Sequence, residues 1–213
     1  MEQWSTQFVV FDGPEGAGKS TQIALLKERL ERSGRGVLLV RDPGTTAIGE
    51  QVRAILLNPA HGEMAMRCEM LLYMAARAQM MSQVILPALR AGQMVLCDRF
   101  VSSTLAYQAG GEGLEAGDIR AVAEVAIQGR WPDRVFILDM PPEKSLARVK
   151  REKDRIEQRP LEYHQRVREN YLEQARADPD RYRIISADRE IQTVHEEIWA
   201  ALGVAPVMGT SSS

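Results

Sequence analysis

The chain has 213 residues, 45% of them apolar and 26% charged, and its 27 basic against 29 acidic side chains leave a formal net charge of −2. That balance excludes a disordered, collagen-like or coiled-coil chain, and the length suits one compact domain better than two small ones. Without a positive excess, general binding to nucleic acid is not expected. No apolar run approaches the ~18 residues of a membrane span, and residues 1–6 carry no leader-like pattern, so a cytoplasmic protein without a membrane partner is expected.

In chain order, the first apolar run covers residues 8–12 and leads into Gly13-Pro-Glu-Gly-Ala-Gly-Lys-Ser20. A stretch of helical period follows at Ile23, Leu26 and Leu30, then a second run at 36–41 leading into Arg41-Asp-Pro-Gly-Thr-Thr46. Leu71, Met74 and Ala78 mark another helix, before a third run at 93–98 that ends in Asp98-Arg99-Phe100. Ile119, Val122 and Ala126 mark a further helix, and the last runs lie at 134–139 and 182–186. Short buried-type strands alternating with helices predict a five-stranded parallel sheet covered on both faces and joined by right-handed crossovers. Ligands of such sheets bind beyond the carboxyl ends of the strands, where the residues of this chain are unusually polar. Cys68 and Cys97 are too few and too far apart for a disulfide framework or a CxxC site, and both read as buried apolar residues in a reducing compartment.

Gly13, Pro14, Glu15, Gly16, Ala17, Gly18, Lys19 and Ser20 fit G-x-x-x-x-G-K-[ST], the phosphate-binding loop, in the strand-loop-helix context that the motif requires, with Thr21 next to it. The glycines let backbone N–H groups converge on phosphate oxygens, and the following helix adds the positive end of its dipole. Lys19 reaches the β- and γ-phosphates of ATP in such a loop, and the Ser20 hydroxyl ligates Mg²⁺. Asp98, ending the third run, is placed like the second-strand acid that holds the magnesium. The expected class is therefore a P-loop NTPase of three α/β/α layers. ATPases, GTPases and small-molecule kinases share the loop, but no N-K-x-D base-reading segment supports a GTPase.

Five segments together resemble one family, the thymidylate (dTMP) kinases. They are Phe11-Asp-Gly-Pro-Glu-Gly-Ala-Gly-Lys-Ser-Thr21, Arg41-Asp-Pro-Gly-Thr-Thr46, Leu72-Tyr-Met-Ala-Ala-Arg77, Asp98-Arg-Phe-Val-Ser-Ser-Thr-Leu-Ala-Tyr-Gln108 and Asp154-Arg-Ile-Glu157. The resemblance implies transfer of the γ-phosphoryl of Mg·ATP to the 5′-phosphate of dTMP. It implies that Tyr73 stacks on thymine and that Arg77, one helical turn on, donates to its O4. A keto oxygen accepts from arginine, whereas the amino group of cytosine confronts it with a second donor. Arg99 resembles the arginine that grips the acceptor phosphate, a dianion suited to a guanidinium fork. Ser103, Thr104, Tyr107 and Gln108 correspond to residues lining the nucleoside pocket, Tyr107 crowding the sugar's 2′ position. Glu15 matches a carboxylate that accepts from the 3′-hydroxyl. Asp42 and Arg53 correspond to further dTMP ligands, although Thr45 stands where the family has glycine. Threonine tolerates positive φ poorly, so a different local turn is expected there.

Between Arg148 and Arg159 stand six basic residues (Arg148, Lys150, Arg151, Lys153, Arg155, Arg159) against three acidic ones. Such a run is commonly a solvated helix face. The resemblance implies instead a short helical lid, at about 148–160, that carries catalytic arginines, because the variable part of the phosphate loop holds no basic residue. Arg148, Arg151 and Arg155 share a helical face, and Arg151 or Arg155 is the expected catalytic arginine alongside Lys19 and Arg99. No catalytic histidine is expected, and His61, His164 and His195 read as structural or exposed. The expected domain is 1–203, with 204–213 a flexible tail. The family implies a homodimer; the methionines at 64, 66, 70, 74, 80 and 81 read first as core packing and second as a surface for it. A deoxynucleoside kinase and a nucleotide-dependent switch remain the alternative functions.

Overall fold

The computed structural model describes residues 7–109, 113–150, 152 and 154–203. Five strands, β1 (Phe8–Asp12), β2 (Val37–Arg41), β3 (Met94–Asp98), β4 (Arg134–Asp139) and β5 (Tyr182–Ser186), form one parallel sheet in the order β2-β3-β1-β4-β5. β2 and β3 each start one residue later than the apolar pattern suggests, within the usual ambiguity of an element's end. The register sets Phe11 opposite Asp98 and Asp12 opposite Ile137, so the acid that ends β1 and the one that ends β3 reach the same rim.

The sequence alternation within β1 shows why both faces are covered. Phe8 and Val10 join a core with Met70, Met74, Met80, Val101, Ile119 and Tyr171, whereas Val9 and Phe11 join Ile23, Leu26, Leu30, Val194 and Ile198. Successive strand side chains point to opposite faces, so a strand apolar at every position needs helices on both sides. On the second of those faces lie α1 (Lys19–Arg32) and α9 (Ile191–Ala201); on the first lie α3 (Met66–Met80), α5 (Val101–Gln108), α6 (Ala116–Ala126) and α8 (Leu161–Ala177). α2 (Ala47–Leu57) packs on α3, a π-helical turn at Met81–Ile85 joins α3 to α4 (Leu86–Arg90), and α7 (Pro142–Ala147) follows β4.

Three expectations are corrected here. On α3 the buried face runs through Met70, Met74, Arg77 and Met80, so Leu71 is 52% exposed and Cys68 is exposed as well, while Cys97 is buried. At 100° per residue, Leu71 and Cys68 fall outside the stripe that the sheet selects. Met70, Met74, Met80 and Met81 are core residues, as the core-packing reading of the methionines has it. The lid expected as a helix contains, among its described residues, a hydrogen-bonded turn in which Gln158 N–H reaches Asp154 O at 3.1 Å. The Asp154 carboxylate accepts from the N–H groups of Ile156 and Glu157, both at 2.9 Å, and the Glu157 carboxylate accepts from Asp154 N–H at 3.0 Å, a reciprocal cap that closes a single turn before Pro160. Arg151 and the tail 204–213 lie outside the described residues. Among the described residues, no helix is long and apolar enough to cross a membrane.

Candidate active site

The phosphate loop wraps the carboxyl end of β1. Gly13 has φ 123°, and a Cβ there would stand 2.5 Å from the backbone oxygen of Leu138 on β4. Gly16 has φ 78°, and its Cβ would stand 2.2 Å from the Ser145 oxygen of α7. Both positions thus need glycine for conformation and for space. Lys19 is buried, and its ammonium donates to the backbone oxygens of Gly13 (3.2 Å) and Pro14 (2.8 Å), curling over the loop it belongs to. Burial and the neighbouring Arg99 lower its pKa, against the pull of Glu15, Asp98 and Asp12.

A cavity of about 460 Å³ opens above the loop. Its walls include Glu15, Gly16, Gly18, Lys19, Ser20 and Thr21 from the loop and α1, and Asp42 and Arg53 from the β2–α2 region. Tyr73 and Arg77 from α3, Asp98 and Arg99 from the end of β3, and Ser103, Thr104, Tyr107 and Gln108 from α5 also line it, as expected from sequence. Gly13, Pro14, Ala17 and Arg155, also expected in the site, are not part of that lining. Arg155 is buried, its Nε donating to Leu56 O at 2.9 Å and its Nη2 pairing with Glu69, so its guanidinium faces α2 and α3 instead of the cavity. Arg148 does line the cavity and stands 3.6 Å from Asp188, which also accepts from Lys144.

Arg99 is held from several sides. It sits at φ 68°, in the left-handed region that few non-glycine residues occupy, and such strain concentrates at functional sites. Its guanidinium donates to Gly13 O and Ser103 Oγ, both at 3.1 Å, and to Glu15 Oε2 at 3.0 Å. Beneath it lies Asp12, fully buried, whose carboxylate accepts from Ser102, Ser103 and Tyr171 hydroxyls, each at 2.6 Å. In the sequence Asp12 shows only as the acid that ends a strand before the loop. Tyr171, 159 residues away in sequence, gives no local signal.

Arg77 is 1% exposed and commits its Nε to Asp42 Oδ2 at 2.7 Å and its Nη2 to Thr104 Oγ1 at 3.2 Å. Burial raises the Asp42 pKa, and the Arg77 pair opposes that shift. The Tyr73 hydroxyl is likewise pushed up by burial. Thr45 contradicts the expected change of turn, because it adopts φ 69° itself. Its hydroxyl accepts from Arg41 N–H at 2.8 Å, and its own N–H donates to Glu50 at 2.8 Å. His164, read from sequence as structural or exposed, is buried and lines the cavity. For a magnesium ion the fit is good: Asp98 Oδ1 is buried with no hydrogen-bond partner among the described residues, and Asp98 and Ser20 line the same cavity. Mg²⁺ is commonly held by one or two side chains plus phosphate oxygens, which suits such a sparse set.

Comparison with known proteins identifies the family. A family model described as thymidylate kinase matches residues 11–198. A thymidylate kinase of Pelotomaculum thermopropionicum is 48% identical over 198 residues, covering 92% of each chain, and one of Deinococcus radiodurans is 42% identical over 197 residues, covering 92% of this chain and 95% of that one. The crystal structure of thymidylate kinase from Ehrlichia chaffeensis superposes with a TM-score of 0.76 at 30% identity, covering 93% of this chain and 99% of its own. With the match spanning the phosphate loop, α3, α5 and the segment between α7 and α8, the chain belongs to the thymidylate kinase family.

Proposed function

We propose that the protein transfers the γ-phosphoryl group of ATP directly to the 5′-phosphate of dTMP, giving ADP and dTDP. What supports this reading most is that the phosphate loop and the acceptor-facing side chains line one cavity, as transfer between two bound nucleotides requires. Lys19 and the loop N–H groups receive the β- and γ-phosphates, drawing the ammonium away from the backbone oxygens of Gly13 and Pro14. Ser20 and Asp98 hold Mg²⁺, which neutralises the phosphate charge when bound. Arg99 takes the acceptor phosphate in a bidentate grip, its other donors kept in place by Ser103 and Glu15. Tyr73 and Arg77 read the base, Arg53 and Asp42 border the acceptor, Glu15 meets the 3′-hydroxyl, and Tyr107 closes on the sugar. The acceptor phosphate is itself the nucleophile, so positioning and charge neutralisation replace a strong general base.

The lid arginine that meets the transferring group is Arg148 in this proposal, with Arg151 the second choice, because Arg155 is occupied by Glu69. A homodimer is also proposed: Ile48 and Ile55 on α2 and Leu71 on α3 leave apolar side chains exposed on adjoining helices, and light scattering reads the mass. The two free thiols suit the reducing cytoplasm proposed as its compartment. The test is ADP release from Mg·ATP with dTMP, dUMP, dCMP, dGMP, AMP or thymidine as sole acceptor. Activity strongest with dTMP supports the reading; activity with thymidine alone makes it a nucleoside kinase, and acceptor-independent hydrolysis makes it a switch.

A further inference from the structure

One side of the cavity rests on a network that the reaction above does not use. Glu69 on α3 is 4% exposed; its Oε1 accepts from Gln108 Nε2 at 2.6 Å, and its Oε2 pairs with Arg155 from the segment after α7. Arg155 is in turn anchored on the carboxyl end of α2 through Leu56 O. A carboxylate paired to a guanidinium only accepts, so the group of Gln108 that faces Glu69 must be its NH₂. The Gln108 oxygen is consequently turned away from Glu69. It is buried and has no hydrogen-bond partner among the described residues, in a residue that lines the cavity. A buried acceptor without a donor is a site that a ligand's N–H can complete.

Arg77, bonded to Thr104 one helical turn before Gln108, offers only donors to the same cavity. An acceptor and a donor presented together match the N3–H and O4 edge of thymine or uracil. They oppose cytosine, which presents an acceptor at N3 and donors at N4. We propose that Glu69, which touches no base, is the positioning residue that sets pyrimidine selectivity by locking the Gln108 amide with its oxygen available, and that Arg155 holds Glu69 in place from the lid segment. This rests on the dTMP kinase reading and adds the residue that orients its base reader. Without the Glu69 carboxylate, the Gln108 amide can turn over and offer Nε2 to cytosine N3.

The experiment measures kcat/KM for dTMP, dUMP and dCMP with the wild-type protein, with Glu69→Gln and with the double variant Glu69→Gln/Arg155→Gln, each checked by thermal melting. The double variant removes both buried charges together and leaves no unpaired guanidinium. The expected result is a fall of about tenfold or more in the dTMP-to-dCMP ratio in both variants, about 1.4 kcal/mol of discrimination, with the dTMP-to-dUMP ratio unchanged. Equal losses with dTMP and dCMP would show a purely structural role and overturn the inference while leaving the kinase reading intact. A wild-type protein indifferent to the acceptor would overturn both.

Discussion

Thr45 offers a calculation in which the strain and its compensation are both visible. A left-handed backbone costs an L-residue about 1–2 kcal/mol, and the β-branched Thr45 occupies it at φ 69°. The side-chain hydroxyl accepts from Arg41 N–H at 2.8 Å and donates to Arg41 O at 3.1 Å, contributing about 1 kcal/mol net. Thr45→Gly removes the strain and the hydroxyl together, and it loosens the unfolded chain by about 0.4–1 kcal/mol. Those terms nearly cancel, so this variant should lie within about 0.5 kcal/mol of wild type. Thr45→Val keeps the shape and the strain but loses the hydroxyl, and should be about 1 kcal/mol less stable, or roughly 2–4 °C in Tm at this size. Urea unfolding midpoints at a common m-value separate the cases. A Thr45→Val variant as stable as wild type, or a Thr45→Gly variant stabilised by about 2 kcal/mol, would refute the assignment of the hydroxyl as the compensating contact.

Other outcomes follow from the same geometry. Arg99→Lys keeps the charge but not the fork, and should lower kcat/KM for dTMP by about tenfold or more while KM for ATP holds, as read by steady-state kinetics. Tyr171→Phe removes a hydroxyl that donates to the buried Asp12 carboxylate and should cost about 1.5–3 kcal/mol in denaturant unfolding, with weakened dTMP turnover because Asp12 and Ser103 seat Arg99. Lys19→Met should reduce kcat by about 10²–10³ with the fold retained, checked by circular dichroism beside the assay. Asp133 caps the start of β1: burial works to raise its pKa, but Arg130 and the N–H groups of Gln7 and Phe8 outweigh that and lower it. Its folded pKa lies below the unfolded value near 3.9, so its contribution is full above that value and disappears as pH falls through the folded pKa. Asp133→Asn should therefore be less stable than wild type at neutral pH, and the gap should shrink below about pH 4 in urea titrations.

Local pattern carried much of the architecture. Each of the five strands is a short apolar run, and the phosphate loop is contiguous, so its glycines, lysine and serine could be read without knowing what surrounds them. The strand-end rule then pointed to Asp98 and Arg99 before any contact was known. Where a helix is apolar over a broad arc, as α3 is, periodicity does not choose between Met70 and Leu71; the sheet does, by the face it covers.

The fate of a charged side chain was less legible still. Arg155 and Arg148 belong to one basic run, yet one is buried against Glu69, 86 positions earlier, and the other borders the cavity. Asp12 meets Tyr171 across 159 positions and orders Arg99 between them. Strand, helix and loop signals depend on neighbours within a few residues, because they arise from backbone sterics and the periods of 2 and 3.6. Pairing between distant side chains depends instead on which elements the packed core brings together. The sequence alone thus determined the sheet, the phosphate loop and the kind of chemistry, whereas only the tertiary structure decided which arginines face the cavity and which carboxylates hold them.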